Sequence, residues 1–329
     1  MKSLSIQTFI ASLDKLMTRR YPVPNSQPMI PIKIYRFYFS TENAARLPNF
    51  PGSAWRGAFG HALKKTVCVV RNTPCNQCLL KNACAYSVVF ETPPPANAEK
   101  MRKYTAAPHP FVLQFPVTGL ASNAKFDQAT ESSFCPPLPL GEACPELCRR
   151  GRGEGFLKKE LKNELQYVYR LDVILFGHGQ RYFPYIVHAL QTAGQTGIGG
   201  HHQVFSLQKI DDINQQGSGE TIYENGELKP QQPAEVPAIP AMPRHIEITF
   251  HTPLRIKQDS KNLATREFKF GAFFGNLLRR ISMISYFHTD TPLETGFAAL
   301  TTHARTVQFT SQQLKWYDWT RYSSGNKPK

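Results

Sequence analysis

The chain has 329 residues, of which 41% are hydrophobic, and its formal net charge at pH 7 is +15. This length predicts two globular domains, and this hydrophobic content excludes a disordered protein. The positive charge favours polyanionic partners, because binding to phosphates releases condensed counterions. No stretch holds the roughly 20 apolar residues that cross a bilayer, and the N-terminus lacks an apolar signal core. We therefore expect a cytoplasmic protein with no membrane partner.

The first half of the chain has the pattern of an α+β domain. Alternating residues over Ile32–Ser40 predict a strand, and helical spacing after Pro51 predicts a helix with Ser53 as its N-cap. Later segments predict a strand at 165–176, a helix at 182–192 and a strand at 196–210. With middle strands somewhere in residues 86–176, the order strand, helix, strand, strand, helix, strand predicts a ferredoxin-like fold.

The second half begins after a polar stretch that contains several prolines, residues 213–244. We expect an interdomain linker there, with a small hairpin at Asn225-Gly226. Alternation over 245–256 then predicts a strand, and residues 268–287 predict a helix. The remaining residues offer only two short segments, so the second domain should be abbreviated.

Two segments, 56–65 and 271–280, resemble each other. They share Phe, Gly and Leu, and both end in a basic pair. Each segment follows the first predicted strand of its half of the chain, so the match indicates either a duplication or chance. The expected organisation is an N-terminal extension (1–29), a first domain (30–212), a linker (213–244) and a partial second domain (245–329).

Four cysteines have the spacing of a metal site. They are Cys68, Cys75, Cys78 and Cys84, with one pair at the Cys-x-x-Cys spacing. Thiolates at such spacings suit structural zinc, and an iron-sulfur cluster uses the same four ligands. Free thiols are the alternative. Four protein ligands leave no open position, so the metal's role would be structural.

Three further cysteines, Cys135, Cys144 and Cys148, lie within an expected insertion at about 120–160. Their proline-rich surroundings favour an exposed loop over a second metal site. Arginines follow them, at Arg149, Arg150 and Arg152, and we expect these to contact RNA only nonspecifically.

The helix after Pro51 carries the residues best suited to chemistry on a phosphodiester. Its N-terminal amides favour phosphate, and Arg56, His61, Lys64 and Lys65 extend the basic surface. His61 can take a proton from a ribose 2′-hydroxyl or give one to the leaving oxygen, because imidazole titrates near neutrality. The alternative is a solvated surface histidine. No metal is needed for catalysis, because the RNA supplies its own nucleophile.

Two other segments suit RNA but also have purely structural interpretations. The glycine-rich segment at 194–202 either holds a phosphate with its backbone amides or forms a tight turn from helix to strand. The aromatic and basic run at 35–39 suits base stacking on a sheet, although half of its rings must face the core.

The sequence resembles the CRISPR-associated pre-crRNA-processing endoribonucleases called Cas-six, within the RAMP superfamily. The resembling segments are 47–63, the cysteine cluster running into 85–91, 92–95, the glycine turn at 197–200, Leu277-Leu-Arg-Arg280, Tyr286-Phe-His288 and 316–324. The resemblance implies tandem ferredoxin-like (RRM-like) domains. Family members continue further, so it also implies a second domain abbreviated at its C-terminus, because this sequence ends at Lys329.

The resemblance also implies an activity. These endoribonucleases cleave repeat RNA by 2′-hydroxyl attack, leaving 2′,3′-cyclic phosphate and 5′-hydroxyl ends, often with a histidine of the first helix as general acid or base. It therefore implies that His61 is catalytic, with Arg56 and Lys64 at the scissile phosphate. The candidate RNA-binding residues are Ser53, Lys65, Gly197, Gly199, Gly200, His201, Arg279 and Arg280.

The partners implied are CRISPR repeat RNA or crRNA, and other CRISPR effector or adaptation proteins. The segment Pro51-Gly-Ser-Ala-Trp-Arg-Gly57 contains a motif shared across RAMP proteins. A non-catalytic RAMP subunit that binds crRNA in an effector complex is therefore the alternative function.

Overall fold

The computed structural model describes most of the chain. The described residues are 30–43, 47–48, 50–94, 98–99, 107–115, 157–161, 164–237, 246–258 and 261–316. The expected N-terminal extension and most of the insertion, with its three cysteines and three arginines, lie outside these residues.

The chain divides into two compact units. The larger is built from Pro28–Ile239 and Met283–Leu293, and the smaller includes Pro240–Ser282 and Glu294–Lys329. Within the described residues, no helix combines the length and the apolar content that crossing a bilayer requires.

An antiparallel sheet of seven strands forms the centre of the larger unit. The strands are β1 Ile32–Thr41, β2 Phe111–Gln114, β3 Leu157–Leu161, β4 Glu164–Phe176, β5 Ser206–Ile213, β6 Gly219–Glu224 and β7 Glu227–Leu228. Six of them lie in the order β2-β4-β1-β5-β6-β7, and β3 pairs with β4 beside that row. The fold is therefore α+β, as the order of predicted elements indicates.

The central strand β1 explains why one face of the sheet is buried. Tyr35, Phe37 and Phe39 have no exposed surface, whereas Arg36 and Tyr38 between them are only partly buried. Side chains alternate across a strand, so the three rings enter the core and their neighbours lie on the opposite face. The predicted strand at Ile32–Ser40 is confirmed.

Two helices cover the face with the three rings. They are α1, Gly52–Val67, and α2, Phe183–Thr196. Trp55, Phe59 and Leu63 follow one another at four-residue spacing along α1 and are fully buried. Residues at this spacing share one face of a helix, so α1 presents a continuous apolar stripe to the sheet. The other side of α1 is left exposed to solvent.

The polar stretch after residue 213 was expected to be a linker, and its first part differs from that expectation. Gly219–Glu224 and Glu227–Leu228 extend the sheet, and Asn225 and Gly226 form the predicted hairpin turn with positive φ angles of 53° and 86°. Ile222 and Tyr223 of β6 are buried, which supplies the apolar contacts that a short strand needs.

The smaller unit contains helices α3, Phe270–His288, and α4, Phe297–Ala304, and a pair of two-residue strands, Lys257–Gln258 and Lys261–Asn262. The last turn of α3 belongs to the larger unit. The helix predicted at 268–287 is confirmed. The strand predicted at 245–256 is wrong for its described residues, 246–256, which are irregular. Ile246 and Ile248 are 49% and 38% exposed, so their alternation meets no partner strand among the described residues.

Candidate functional site

The exposed side of α1 is a basic surface. It carries His61, Lys64 and Lys65, all exposed, and the helix contains no acidic residue. None of the described residues hydrogen-bonds the His61 ring. Gly57, one turn before His61, is exposed, and a Cβ built there would meet nothing within 4 Å. Space is therefore open beside His61, between two lysines and the bare backbone of Gly57.

The start of α1 differs from the prediction. The N-cap is Pro51 rather than Ser53, and no side chain caps the helix. Ser53 instead lies in the first turn and is partly exposed. The first turn also lacks an acidic residue, so no side-chain charge offsets the positive end of the helix dipole. Ser53 therefore stays a candidate for contacting a phosphate, but not as a cap.

Arg56 and Lys64 contact aromatic rings. The Arg56 guanidinium lies 4.9 Å from the centre of the Phe90 ring, and the Lys64 amine 5.4 Å from that of Tyr86. The two rings are stacked, with centroids 5.6 Å apart. Cations are attracted to the faces of aromatic rings, so these contacts favour the observed positions of both side chains.

Gly60 makes this arrangement possible. It lies between Arg56 and Lys64 on the same side of α1, and a Cβ there would clash with the Phe90 ring. The Tyr86 and Phe90 rings come from a segment that ends in a π-helix, Ser87–Glu91. Burial, and then its 2.8 Å hydrogen bond to Glu91, raise the pKa of the Tyr86 hydroxyl, so it stays protonated near neutrality.

The structure adds two residues that the sequence did not single out for the site. Arg56 Nη2 lies 2.7 Å from Nε2 of His109, and His109 Nδ1 lies 3.0 Å from Oγ1 of Thr92. Thr92 has a φ angle of +48°, which is rare for a β-branched residue. The sequence signals are the segment 92–95, which is part of the family resemblance, and the prolines that flank His109 in Pro108-His109-Pro110.

The glycine turn after α2 has the properties of a tight structural turn. Gly197 and Gly199 have φ angles of 101° and 77°. Several of its amides are already used inside the turn: Gly197 N–H donates to carbonyls of α2, Ile198 N–H to Gln203, and His202 N–H to Gly199. A phosphate would find fewer free amides here than the sequence suggests. His201 and Gly200 are exposed, and Gly199 lies beside Leu47 in the segment that precedes α1.

The face of the sheet opposite α1 and α2 is less suited to binding phosphate than α1 is. Arg36 and Arg170 both pair with Asp172, at 3.1 Å and 2.6 Å, and Lys209 pairs with Asp211 at 3.1 Å. Each of these cations already has a carboxylate partner, which lowers the positive potential that a phosphate would meet. The aromatic run of β1 therefore contributes mainly to the core.

Three of the four clustered cysteines lie around one small pocket. Cys68, Cys78 and Cys84 line one small pocket of about 130 Å³, and Cys75 begins the short 3₁₀ turn, Cys75–Gln77, that leads to Cys78. All four are partly exposed and none forms a disulfide. Within the described part of the chain, no three potential ligands are already arranged around a metal position.

Arg279 and Arg280 lie on α3, in the smaller unit. Both are exposed. Like Lys64 and Lys65, they form a consecutive basic pair on the exposed surface of a helix.

A family model and one relative match the chain. The model, AF_1859_N, described as an N-terminal domain, matches residues 30–135 and 158–236. A protein of Archaeoglobus fulgidus that carries the name "Uncharacterized protein" is 23% identical over 232 residues, which cover 68% of this chain and 60% of that protein. No solved structure matches the chain. The match to the family model covers more than half of this chain, so the protein belongs to the AF_1859_N family.

Proposed function

We propose that this protein binds RNA and cleaves CRISPR repeat RNA without a metal ion, as the Cas-six endoribonucleases that it resembles do. One observation carries the proposal: His61 lies on the exposed basic side of α1, between Lys64, Lys65 and the open space over Gly57. A phosphodiester approaching this surface meets positive charge and no carboxylate of the same helix. The imidazole is exposed to solvent, and an RNA strand lying along α1 would come within its reach.

In the proposed reaction, the 2′-hydroxyl oxygen of the RNA forms a bond to the adjacent phosphorus while the bond from phosphorus to the 5′-oxygen breaks. His61 takes the proton of the hydroxyl as general base, or supplies a proton to the leaving oxygen as general acid, and water completes the other proton transfer. Lys64 and Arg56 stabilise the negative charge that builds up on the phosphate. The products are a 2′,3′-cyclic phosphate and a 5′-hydroxyl end.

The topology of the larger unit supports a ferredoxin-like first domain. Its elements follow the chain order β1, α1, β2, β4, α2, β5, and these four strands are neighbours in the order β2-β4-β1-β5. This is the arrangement of a split βαβ fold.

For the second domain we propose a partial copy in which α3 is the counterpart of α1, supported by the similarity between residues 56–65 and 271–280.

The test is to incubate the protein in EDTA with the repeat RNA of a CRISPR array found beside its gene. A single cut with a 2′,3′-cyclic phosphate end is expected. The same RNA with one 2′-deoxy nucleotide on the 5′ side of the cut should resist cleavage. Absence of any cut, or a strict requirement for Mg²⁺, would contradict the proposal.

A second candidate is a non-catalytic RAMP subunit that binds crRNA in an effector complex. It is favoured by one observation: no described residue hydrogen-bonds the His61 ring, whereas catalytic histidines are commonly oriented by a partner. In that case the protein binds repeat RNA and leaves it intact. Other CRISPR effector or adaptation proteins are then its partners in the cytoplasm.

We also propose that Cys68, Cys75, Cys78 and Cys84 hold a structural metal ion, either zinc or the iron of an iron-sulfur cluster. The donor set fits, because four thiolates satisfy tetrahedral zinc, and three of the cysteines line one pocket. Binding would draw the four sulfurs closer together than they lie now. It would fix the segment that connects α1 to the Tyr86 and Phe90 rings, and it would take no part in catalysis.

A further inference from the structure

Arg56 is held by a chain of hydrogen bonds whose direction can be assigned. Arginine has only donors, so the 2.7 Å contact from Arg56 Nη2 requires an unprotonated Nε2 on His109. A neutral imidazole then carries its hydrogen on Nδ1 and donates it to Thr92 Oγ1, 3.0 Å away. The Thr92 hydroxyl in turn donates to the Val89 carbonyl at 3.3 Å. These hydrogen-bond partners therefore select the tautomer of His109 that carries its hydrogen on Nδ1.

The backbone at Thr92, which lies in the middle of these hydrogen bonds, is itself held by two more. Thr92 N–H donates to the Ser87 carbonyl at 2.6 Å, and its own carbonyl accepts from Ala107 N–H at 2.7 Å. These bonds hold Thr92 in its left-handed conformation, which a threonine adopts only when its surroundings impose it. Unfavourable backbone conformations that are held in this way cluster at functional sites.

The segment of His109 is equally constrained. Pro108 and Pro110 flank the histidine, and the carbonyls of both prolines accept hydrogen bonds, from His288 and from the Phe176 amide. The imidazole ring also contacts two phenylalanine rings, with centroids 6.0 Å from Phe90 and 5.7 Å from Phe111, and those two rings lie 6.3 Å from each other. The ring therefore has little freedom to turn away from Arg56.

We propose that His109 is the positioning residue of Arg56, and that it holds the guanidinium in the orientation that binds a phosphate of the RNA strand. This proposal rests on the proposed RNA-binding function and deepens it. Phe90 restrains the face of the guanidinium and His109 restrains one edge. An arginine that is already restrained loses less side-chain entropy when it binds an anion than an unrestrained arginine does. Restraining Arg56 therefore increases its affinity for phosphate.

Two substitutions separate the hydrogen bond from the packing. His109→Phe keeps a ring that stacks on Phe90 and Phe111 but removes the acceptor. His109→Gln keeps an acceptor near the position of Nε2 and cannot be protonated. If His109 positions Arg56, RNA affinity at fixed salt falls about tenfold for the Phe variant, the scale of a hydrogen bond to a charged group, and is largely restored in the Gln variant. Equal affinities for the wild type and the Phe variant overturn the proposal.

A double-mutant cycle shows whether His109 acts through Arg56. Arg56→Ala should weaken RNA binding by itself, and adding His109→Phe to it should change nothing more. If instead the two losses are additive, His109 acts on its own and the positioning role is wrong. Circular dichroism and the melting temperature of each variant establish that the fold is retained.

Nitrogen NMR of the free protein tests the assignment without any RNA. The ¹⁵N shifts of His109 at neutral pH should identify a neutral ring protonated on Nδ1 only. A ring protonated on Nε2 overturns the inference even if the protein binds RNA. Failure of the wild-type protein to bind RNA at all, with the expected tautomer present, contradicts the proposed function instead and removes the ligand on which the positioning role depends.

Discussion

At the scale of single residues, the two glycines of α1 have opposite environments. A Cβ at Gly57 meets nothing within 4 Å, whereas a Cβ at Gly60 clashes with the Phe90 ring. Glycine within a helix costs about 0.5–1 kcal/mol relative to alanine, because the unfolded chain is freer. The two positions lie three residues apart, so each serves as the control for the other.

We expect Gly57→Ala to stabilise the protein by about 0.5–1 kcal/mol. Gly60→Ala should destabilise it by roughly 1–3 kcal/mol, because Phe90 must move and disturb its contacts with Arg56 and Tyr86. Urea denaturation of both variants measures these changes. A shift of both variants in the same direction would contradict the description of α1.

The same pair also probes function. If RNA occupies the open space beside His61, the methyl group of Gly57→Ala obstructs it, so cleavage or RNA affinity should fall while stability rises. A variant that is more stable and equally active would show that the space over Gly57 is not used by the ligand.

His109 shows why single-residue chemistry was only partly predictable from sequence. His61 became a candidate because it lies on a predicted helix with basic neighbours and because the resemblance to the Cas-six endoribonucleases implies a catalytic histidine there. His109 lies in a proline-rich loop without periodicity, and its partners are 53 and 17 residues away along the chain. Such contacts depend on tertiary structure, which no local pattern specifies. Residue preference placed the N-cap at Ser53, but the N-cap is Pro51, so the helix begins two residues earlier than predicted.

At the scale of elements, the end of α3 is fixed by His288. Its Nε2 donates to the Pro108 carbonyl at 2.7 Å, and its own carbonyl lies so close to Gly177 that a Cβ there would overlap it. Gly177 has a φ angle of +47°, so glycine is favoured at that position for two reasons. These contacts attach the last turn of α3 to the segment that carries His109.

Burial, and more weakly the neighbouring His178, lower the pKa of His288 below its ordinary value of 6.5. The unfolded chain therefore binds this proton more readily than the folded protein does. The contribution of His288 to stability should be complete above about pH 6.5 and should decline as the pH falls below it.

Melting temperatures between pH 8 and pH 5 test this expectation. His288→Gln keeps an N–H donor for Pro108 and removes the titration, so its melting temperature should depend less on pH than that of the wild type. His201→Gln, at an exposed histidine, is the matched control. If the pH dependence of His288→Gln equals that of the wild type, His288 is not responsible for it.

The cysteine segment between α1 and the π-helix is a second element with a direct test. Purified protein should contain close to one equivalent of zinc, or iron with the visible absorption of an iron-sulfur cluster. Replacing Cys75 and Cys78 by serine should remove the metal and lower the melting temperature, since bound metal stabilises the fold. Elemental analysis that finds neither metal would identify the four cysteines as free thiols.

Elements were predictable from sequence where the apolar pattern and the burial agree. The three rings of β1 and the stripe of Trp55, Phe59 and Leu63 on α1 are such cases. Residues 246–256 alternate in the same way, but a strand also needs a partner, and the described residues provide none. Conversely, β6 lies in a polar stretch, where Ile222 and Tyr223 are too few to reveal a strand.

At the scale of the whole molecule, the net charge of +15 predicts that RNA binding depends steeply on salt. Lys65→Ala should weaken binding and reduce the slope of log affinity against log salt by about 1, as loss of one phosphate contact does. Lys229→Ala, at another exposed lysine of the larger unit, is the control. Equal slopes for all three proteins would place the RNA elsewhere.

The catalytic role that we propose for His61 on α1 has a direct test. The most direct measurement is single-turnover cleavage of the repeat RNA in EDTA by wild-type protein and by His61→Ala, with RNA affinity measured in parallel. If His61 is the general acid or base, cleavage by the variant falls by at least about 100-fold, the scale of a lost proton-transfer group, while RNA affinity changes by less than about threefold. Undiminished cleavage by His61→Ala would contradict it.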